Sequence, residues 1–258
     1  MYWKNKLRIQ NFKKIEFLFK KLLPKKYQFK KRIKRSIKNL NEPEIEIIKN
    51  LINQGTDSID VGVYRGVHSY EMSKYSMNVH SFEANPIIYN DLIDTLPLIK
   101  KNIRIYNFAL SDKNGEAKMK IPIRDKSANK KNYEEYFKMG LATIHENNNF
   151  DNFEEFKVIS KKIDDIKFEN KISFIKIDVE GHEMEVIKGG LDLIKKFKPN
   201  MMIEITEKYS KRPIQETINF ISSLGYTVFC LKDKKLVNIE LIENISIFNN
   251  FIFTYKKN

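Results

Sequence analysis

Residues 57–255 predict an α/β fold built on a mostly parallel sheet with helices on both faces. Three observations carry this. The strand-like segments read mainly as apolar runs, as strands covered on both sides do. Helical segments alternate with them. Acids and glycines gather where strands give way to helices, at "DVGVYRG", "FEANP" and "DVEGHE".

The elements follow in order. "EPEIEIIKNLINQG" is a short helix, with Pro43 and acids at its front and Gly55 just past its end. "DSIDVG" is a strand and 66–77 a helix, "NVHSFEA" a strand and 86–100 a helix interrupted near Pro97. "IRIYNFAL" is a strand, "SDKNG" a turn and "EAKMKIPI" a strand. "ISFIKIDV", "NMMIEIT", "YTVFCL" and "NNFIFTY" are the later strands, with helices over 181–197 and 213–224. The segment 124–157 breaks the pattern. It is polar and rich in Asn and Lys around the island "MGLATIH", which marks a variable insertion or flap over the ligand edge.

Composition narrows the classes. A chain of 258 residues, 41% hydrophobic and 31% charged, has the makeup of a folded protein. Its single cysteine, Cys230, excludes an internal disulfide framework or a multi-cysteine metal site, and its apolar setting marks it as core. The net charge of +14 is localised. Residues 1–40 hold 15 of the 47 Lys and Arg and only one of the 33 acids, Glu16, so 41–258 carry 32 of each sign. The chain therefore divides into a basic arm, 1–40, and a neutral body, 41–258. In the arm, Trp3, Leu7, Phe12, Ile15, Leu18, Phe19 and Leu22 recur at helical spacing between lysines. Such a basic amphipathic helix suits an anionic membrane surface, or packs its stripe on the body with its lysines solvated. Apolar runs are too short for a secretory signal or a spanning helix. The expected location is the cytoplasm, with a peripheral place at the inner membrane face open to the arm.

The strand tips indicate the chemistry. Ligands of such sheets lie beyond the carboxyl ends of the strands, where strand order reverses. Gly62 and Gly66 allow a tight turn and close backbone approach, and Glu83, 23 residues past Asp60, can take both ribose hydroxyls of a nucleoside. The middle glycine of a dinucleotide loop is replaced by Tyr64, and Asp60 would repel a diphosphate. A sulfonium with an amino-acid tail suits these acids better, favouring S-adenosylmethionine over a nicotinamide. "SFIKIDVEGHEMEVIKGG" brings Asp178 and Glu180 to the same edge, with His182 and Glu183 in the first helical turn. Glu180 also has a helix-capping role available.

The order "DVGVYRG", "FEANP", "NFALSDKNG", "KKIDDI", "FIKIDVEGHEMEVIKGG", "PNMMIEI" and "LGYTVFCL" resembles the FkbM family of S-adenosylmethionine-dependent methyltransferases. The resemblance implies a Rossmann-like class I methyltransferase fold with a seven-stranded sheet. It implies O-methylation of hydroxyls on sugars, glycans or related metabolites. It assigns the cofactor to Asp60, Gly62, Gly66 and Glu83, with Asp112 near the adenine. Tyr64 and His68 are expected on the cofactor side as well, His68 by packing, and Asp178 faces both cofactor and acceptor. The family usually has Ala-Asn where this chain has Val63-Tyr64, and Pro where it has Ala84. Asp178 is the expected acceptor-side base or orienter, with Glu180 and His182 as alternates and His145 as a contribution from the flap. No metal is assigned, although Asp178, Glu180 and Glu204 would be the oxygen donors for one. The rival readings are a nicotinamide-dependent sugar oxidoreductase, a nucleic-acid methyltransferase recruited by the arm, and a scaffold without turnover. Nucleic acid is not the expected partner, because the run after "DVEG" lacks the Pro-Pro-aromatic signature of base methylases.

Overall fold

The computed structural model describes residues 24–39, 42–130, 132–146 and 150–255. The chain divides into two units, Met1–Leu40 and Asn41–Asn258. In the first, helix α1 (Lys25–Asn39) carries eight basic residues and no acid, with Phe29, Ile33 and Ser36 at the spacing of one face. The stripe from Trp3 to Leu22 lies outside the described residues.

The second unit opens with a 3₁₀ turn, Pro43–Ile47, that runs into α2 (Ile48–Leu51). Its strands and helices then alternate: β1 (Asp57–Val61), α3 (Val67–Met72), β2 (Val79–Phe82), α4 (Pro86–Ile93), α5 (Leu96–Ile99) and β3 (Ile103–Tyr106). Next come β4 (Ala109–Leu110), β5 (Gly115–Pro122), α6 (Tyr133–Tyr136) and β6 (Phe153–Lys161). The chain returns through β7 (Ile172–Ile177), α7 (Glu183–Lys188), α8 (Leu191–Phe197), β8 (Asn200–Glu204), α9 (Glu207–Ser210) and α10 (Ile214–Ser223). It ends with β9 (Tyr226–Lys232), β10 (Lys235–Asn238) and β11 (Asn250–Tyr255).

The main sheet has the order β10-β9-β11-β8-β7-β1-β2-β3. Pairings from β3 to β8 are parallel, and those among β8, β11, β9 and β10 antiparallel. Every residue of β1, β2 and β7 is buried, so both sheet faces are covered. The order reverses at β1 and β7, which places a crevice beyond their carboxyl ends.

The sheet has eight strands where seven were expected. The extra one is β10, which folds back on β9 over the turn at Asp233 and Lys234, both left-handed. The helix expected over 181–197 is two helices broken at Gly189-Gly190. A Cβ on Gly189 would lie 1.9 Å from the carbonyl oxygen of Ser111, so the chain passes there only as glycine. The segment 124–157 is not wholly an excursion, since its last residues enter β6. That strand pairs antiparallel with β5 from Gly115↔Ser160 to Pro122↔Phe153, forming a second sheet with β4. Met119, Ile121, Phe137 and Val158 make its own small core.

Gly62 fixes the tip of β1 against that of β7. Its φ is 84°, and a Cβ there would fall 1.8 Å from the backbone oxygen of Asp178. Gly55, φ 74°, has open space around the same position. Gly62→Ala is expected to lower unfolding stability by more than about 3 kcal/mol, combining overpacking with left-handed strain. Gly55→Ala pays the strain alone, at about 1 kcal/mol. Urea midpoints of the two variants against wild type check this, and equal losses would refute the contact.

Candidate active site

Beyond the β1 and β7 tips opens a crevice of about 660 Å3, mouth included. Gly62 and Tyr64 line it from β1, Glu83 from β2, and Asp178, Glu180 and His182 from the turn after β7. Phe82, Ile88, Phe108 and Leu110 supply apolar wall, and Met119, Met139, Thr143 and Ile144 close it from the second sheet and the flap. An apolar slot with a few convergent polar groups is the usual form of a small-ligand site.

Glu83 is held rigidly. Its Oε2 accepts the Tyr64 N–H at 2.9 Å and its Oε1 the Asn85 N–H at 2.8 Å. Each oxygen keeps a lone pair for a further donor. Burial pushes its carboxyl up to about 7, against the pull of the two N–H bonds. Tyr64 is left-handed at φ 48°, and its ring lies against Gly140 of the flap.

Beneath the β7 tip lies Lys176, 1% exposed in an apolar strand, with Nζ 3.3 Å from Asp178 Oδ2. Burial acts to strip its charge, but Asp178, Glu204 and Asp60 overcome that and hold its pKa above the ordinary lysine value. Asp178 thus meets a cation from behind while 30% of its side chain is exposed. Glu180 differs. It is left-handed at φ 54°, and its backbone oxygen accepts the Thr143 hydroxyl at 2.9 Å. Burial, then Asp178, Glu204 and Glu183, push its carboxyl up to about 9, so it is protonated near neutral pH. Glu183 accepts the Gly181 N–H at 2.8 Å, which closes the turn, and burial sends its carboxyl to about 7. Burial and Asp178 place Glu204 at about 7 as well.

His182 borders the crevice but turns its nitrogens to protein. Nε2 is 2.9 Å from Ser111 Oγ, and Nδ1 is 3.7 Å from Glu185 Oε2. Burial lowers its pKa to about 4, leaving a neutral ring whose nitrogens are not aimed at an acceptor. His145 donates from Nε2 to the Ser210 carbonyl at 3.1 Å.

Gly62, Tyr64, Glu83, Asp178, Glu180 and His182 therefore meet at one crevice. Four expected cofactor residues stand outside its lining. Asp60 lies one layer below, fully buried, taking the Ser69 hydroxyl on Oδ2, and burial raises its pKa. Gly66 is left-handed at the start of α3 and shapes the turn. His68 is drawn to Glu42, with Nε2 3.2 Å from its carboxylate, rather than to the crevice. Asp112 accepts the Ser111 hydroxyl at 3.3 Å, in the loop against Gly189. Lys176, Thr143, Met119 and Met139 also shape the crevice or its floor. Of these only Lys176 had a signal, a lone lysine inside "SFIKIDV".

The profile of the FkbM methyltransferase domain matches residues 60–228, from the β1 tip into β9. The chain belongs to the FkbM methyltransferase family. No curated protein matches it. Among solved structures, a methyltransferase FkbM from Methylobacillus flagellatus is 14% identical with a TM-score of 0.50, covering 82% of this chain and 50% of its own. This protein thus spans half the length of that relative. A TehB-like SAM-dependent methyltransferase from Corynebacterium glutamicum is 13% identical, covering 90% of this chain and 98% of its own, TM-score 0.45. An rRNA methylase from Streptococcus thermophilus is 8% identical, covering 83% and 95%, TM-score 0.41. The fold is the Rossmann-like class I methyltransferase fold, and family membership displaces the nicotinamide reading.

S-adenosylmethionine is the cofactor of this family, and the crevice fits it. Glu83 offers two anchored acceptors, the apolar wall accommodates an aromatic ring, and the acids at the β7 tip favour a sulfonium charge.

The four glutamates raised to about 7 or 9 give a testable pH dependence. Folded Glu83, Glu183 and Glu204 release protons near 7 and Glu180 near 9, whereas an unfolded glutamate does so near 4.5. The folded chain therefore holds protons that the unfolded chain has lost, and stability falls as pH rises through 7 and then 9. The Tm of the cofactor-free protein should drop from about pH 6 to about pH 9.5, and Glu180→Gln should flatten the upper part of that fall. Thermal melts across the range read both. A rising Tm would contradict the buried acid cluster.

Proposed function

We propose that the protein transfers the methyl group of S-adenosylmethionine to a hydroxyl of a sugar, glycan or related metabolite, with Asp178 as the acceptor-side base or orienter. The observation that supports this is the division of roles at the β7 tip. Asp178 faces the crevice with a buried ammonium behind it, while neighbouring Glu180 is held protonated. One group can accept a proton and the other can donate a hydrogen bond.

The bound cofactor supplies a methyl carbon activated by a positive sulfur. The crevice walls hold the acceptor oxygen in line with that carbon and keep bulk water away, and alignment of this kind is worth up to about 7–11 kcal/mol at its limit. Asp178 takes the hydroxyl proton as the carbon–oxygen bond forms, a contribution of about 10²–10⁴-fold. Lys176 positions Asp178 through their ion pair without touching the reacting atoms. Glu83 holds the ribose hydroxyls.

Labelled-methyl transfer into candidate glycans and glycolipids tests the activity, with whole-cell extract as a control acceptor. Asp178→Ala and Asp178→Asn should each lower kcat at saturating cofactor by about 10²–10⁴-fold. Glu83→Gln should weaken cofactor binding by about 10-fold or more, the worth of a charge-assisted hydrogen bond. Cofactor binding near pH 7 should also release protons, because a sulfonium among protonated acids favours their ionised forms. Calorimetry in buffers of different ionisation enthalpy reads affinity and protons together. Full transfer by both Asp178 variants would sink the base assignment, and absence of cofactor binding would sink the enzyme.

The arm supports a partner of its own kind, an anionic lipid surface. Eight basic residues and no acid in α1 carry this reading. Sedimentation with phosphatidylserine vesicles should be lost in high salt and on deletion of 1–40, and preference for RNA over vesicles would reverse it.

A further inference from the structure

Beside the crevice, two histidines and a glutamate form a cluster that methyl transfer does not use. His145 comes from the flap, and His182 and Glu185 from the start of α7. One nitrogen from each ring and one carboxylate oxygen lie within 4.8 Å of one another. His145 and His182 are 6% and 9% exposed, and their ring centroids are 6.2 Å apart.

The hydrogen bonds around the cluster leave its lone pairs free to turn inward. The Ser210 carbonyl can only accept, so His145 carries its proton on Nε2 and its lone pair on Nδ1. Ser111 Oγ also lies 3.3 Å from Asp112 Oδ1, and with its proton directed there it accepts from a His182 ring protonated on Nε2, 2.9 Å away. His182 Nδ1 then presents a lone pair to Glu185 Oε2, 3.7 Å away. Among the described residues both atoms are buried without a hydrogen-bond partner. Two acceptors facing each other in the interior call for a cation between them. Arg212 does not supply it, since its Nη2 engages the other oxygen, Glu185 Oε1, at 2.6 Å. That bond fixes the carboxylate with Oε2 toward His182.

The remaining features are those of a metal site. Two donors about 2.0–2.2 Å from a tetrahedral ion stand about 3.3–3.6 Å apart; His182 Nδ1 and Glu185 Oε2 are 3.7 Å apart, and all three donors lie within 4.8 Å of one another, so an ion would draw them together. Each imidazole donates its other N–H to an oxygen, as ligating histidines do to fix tautomer and orientation. Two imidazoles and a carboxylate suit zinc, iron or nickel rather than magnesium or calcium.

We propose that His145, His182 and Glu185 bind one divalent transition-metal ion that fastens the flap to the turn after β7. Three protein donors leave a coordination position for water or a ligand. Thr143, Ile144 and His182 all line the crevice, so the ion sets the wall against which an acceptor lies. The proposal is independent of the methyl-transfer reading, because its test needs neither cofactor nor acceptor.

The full-length chain, stripped with chelator, is titrated with zinc by calorimetry and with cobalt(II) by visible absorption. Wild type should bind one zinc per chain, melt at a higher temperature with it, and give cobalt bands of low coordination number. His145→Ala and His182→Ala should each weaken zinc binding by more than the about 10–100-fold typical of losing an outer partner. His68→Ala, remote from the cluster, should leave it unchanged. Circular dichroism confirms folding of each variant, and the cobalt spectrum of wild type needs no variant. Absence of one-to-one zinc binding by wild type, or wild-type affinity in folded His145→Ala, would overturn the site.

Discussion

The buried ammonium of Lys176, 3.3 Å from Asp178, makes the rest of the site possible. Parallel pairing aligns Val61 with Ile177, so β1 and β7 end level and their tips deliver side chains to one place. Asp60, Asp178, Glu180 and Glu204 gather there, and without a compensating charge their burial would be prohibitive. Lys176 balances part of it, and protonation of Glu180 relieves more. What remains is a pocket with negative charge to spare, which prefers a small organic cation to a phosphate.

The main sheet was legible because its signals are local. Apolar runs bounded by Gly, Pro and acids located the parallel strands, and "DVGVYRG" and "DVEGHE" marked the switch point. The pieces that escaped depend on distant partners. β6 is charged on most of its exposed positions, with burial alternating along Phe153–Lys161, and it is a strand because β5 lies beside it. The break at Gly189-Gly190 comes from a loop almost 80 residues earlier in the chain. β10 is a short edge whose pairing is set by a turn rather than by its composition.

The site was half legible for the same reason. Acids at strand tips can be placed by topology, and Glu83, Asp178 and Glu180 do line one crevice. Which layer a side chain occupies is not in the periodicity. Asp60 sits beneath the crevice because its strand alternates it to Ser69, and His68 follows its helix round to Glu42. His182 shows the limit of reading by residue type. A histidine in an acid-rich turn suggests a base, yet Ser111 and Glu185 stand at its two ring nitrogens.

The β5–β6 ladder has a further consequence. Because Pro122 pairs with Phe153, the chain leaves and rejoins the body at adjacent points, and the whole excursion hangs from a hydrogen-bonded base. Closing a loop whose ends are already pinned costs little more as it lengthens, about 0.6 kcal/mol for each doubling. The stretch between those two residues can thus be recut or exchanged among relatives without unsettling the parallel sheet. Because Met139, Thr143 and Ile144 of that stretch line the crevice, recutting it would reshape one wall while leaving the strand tips in place.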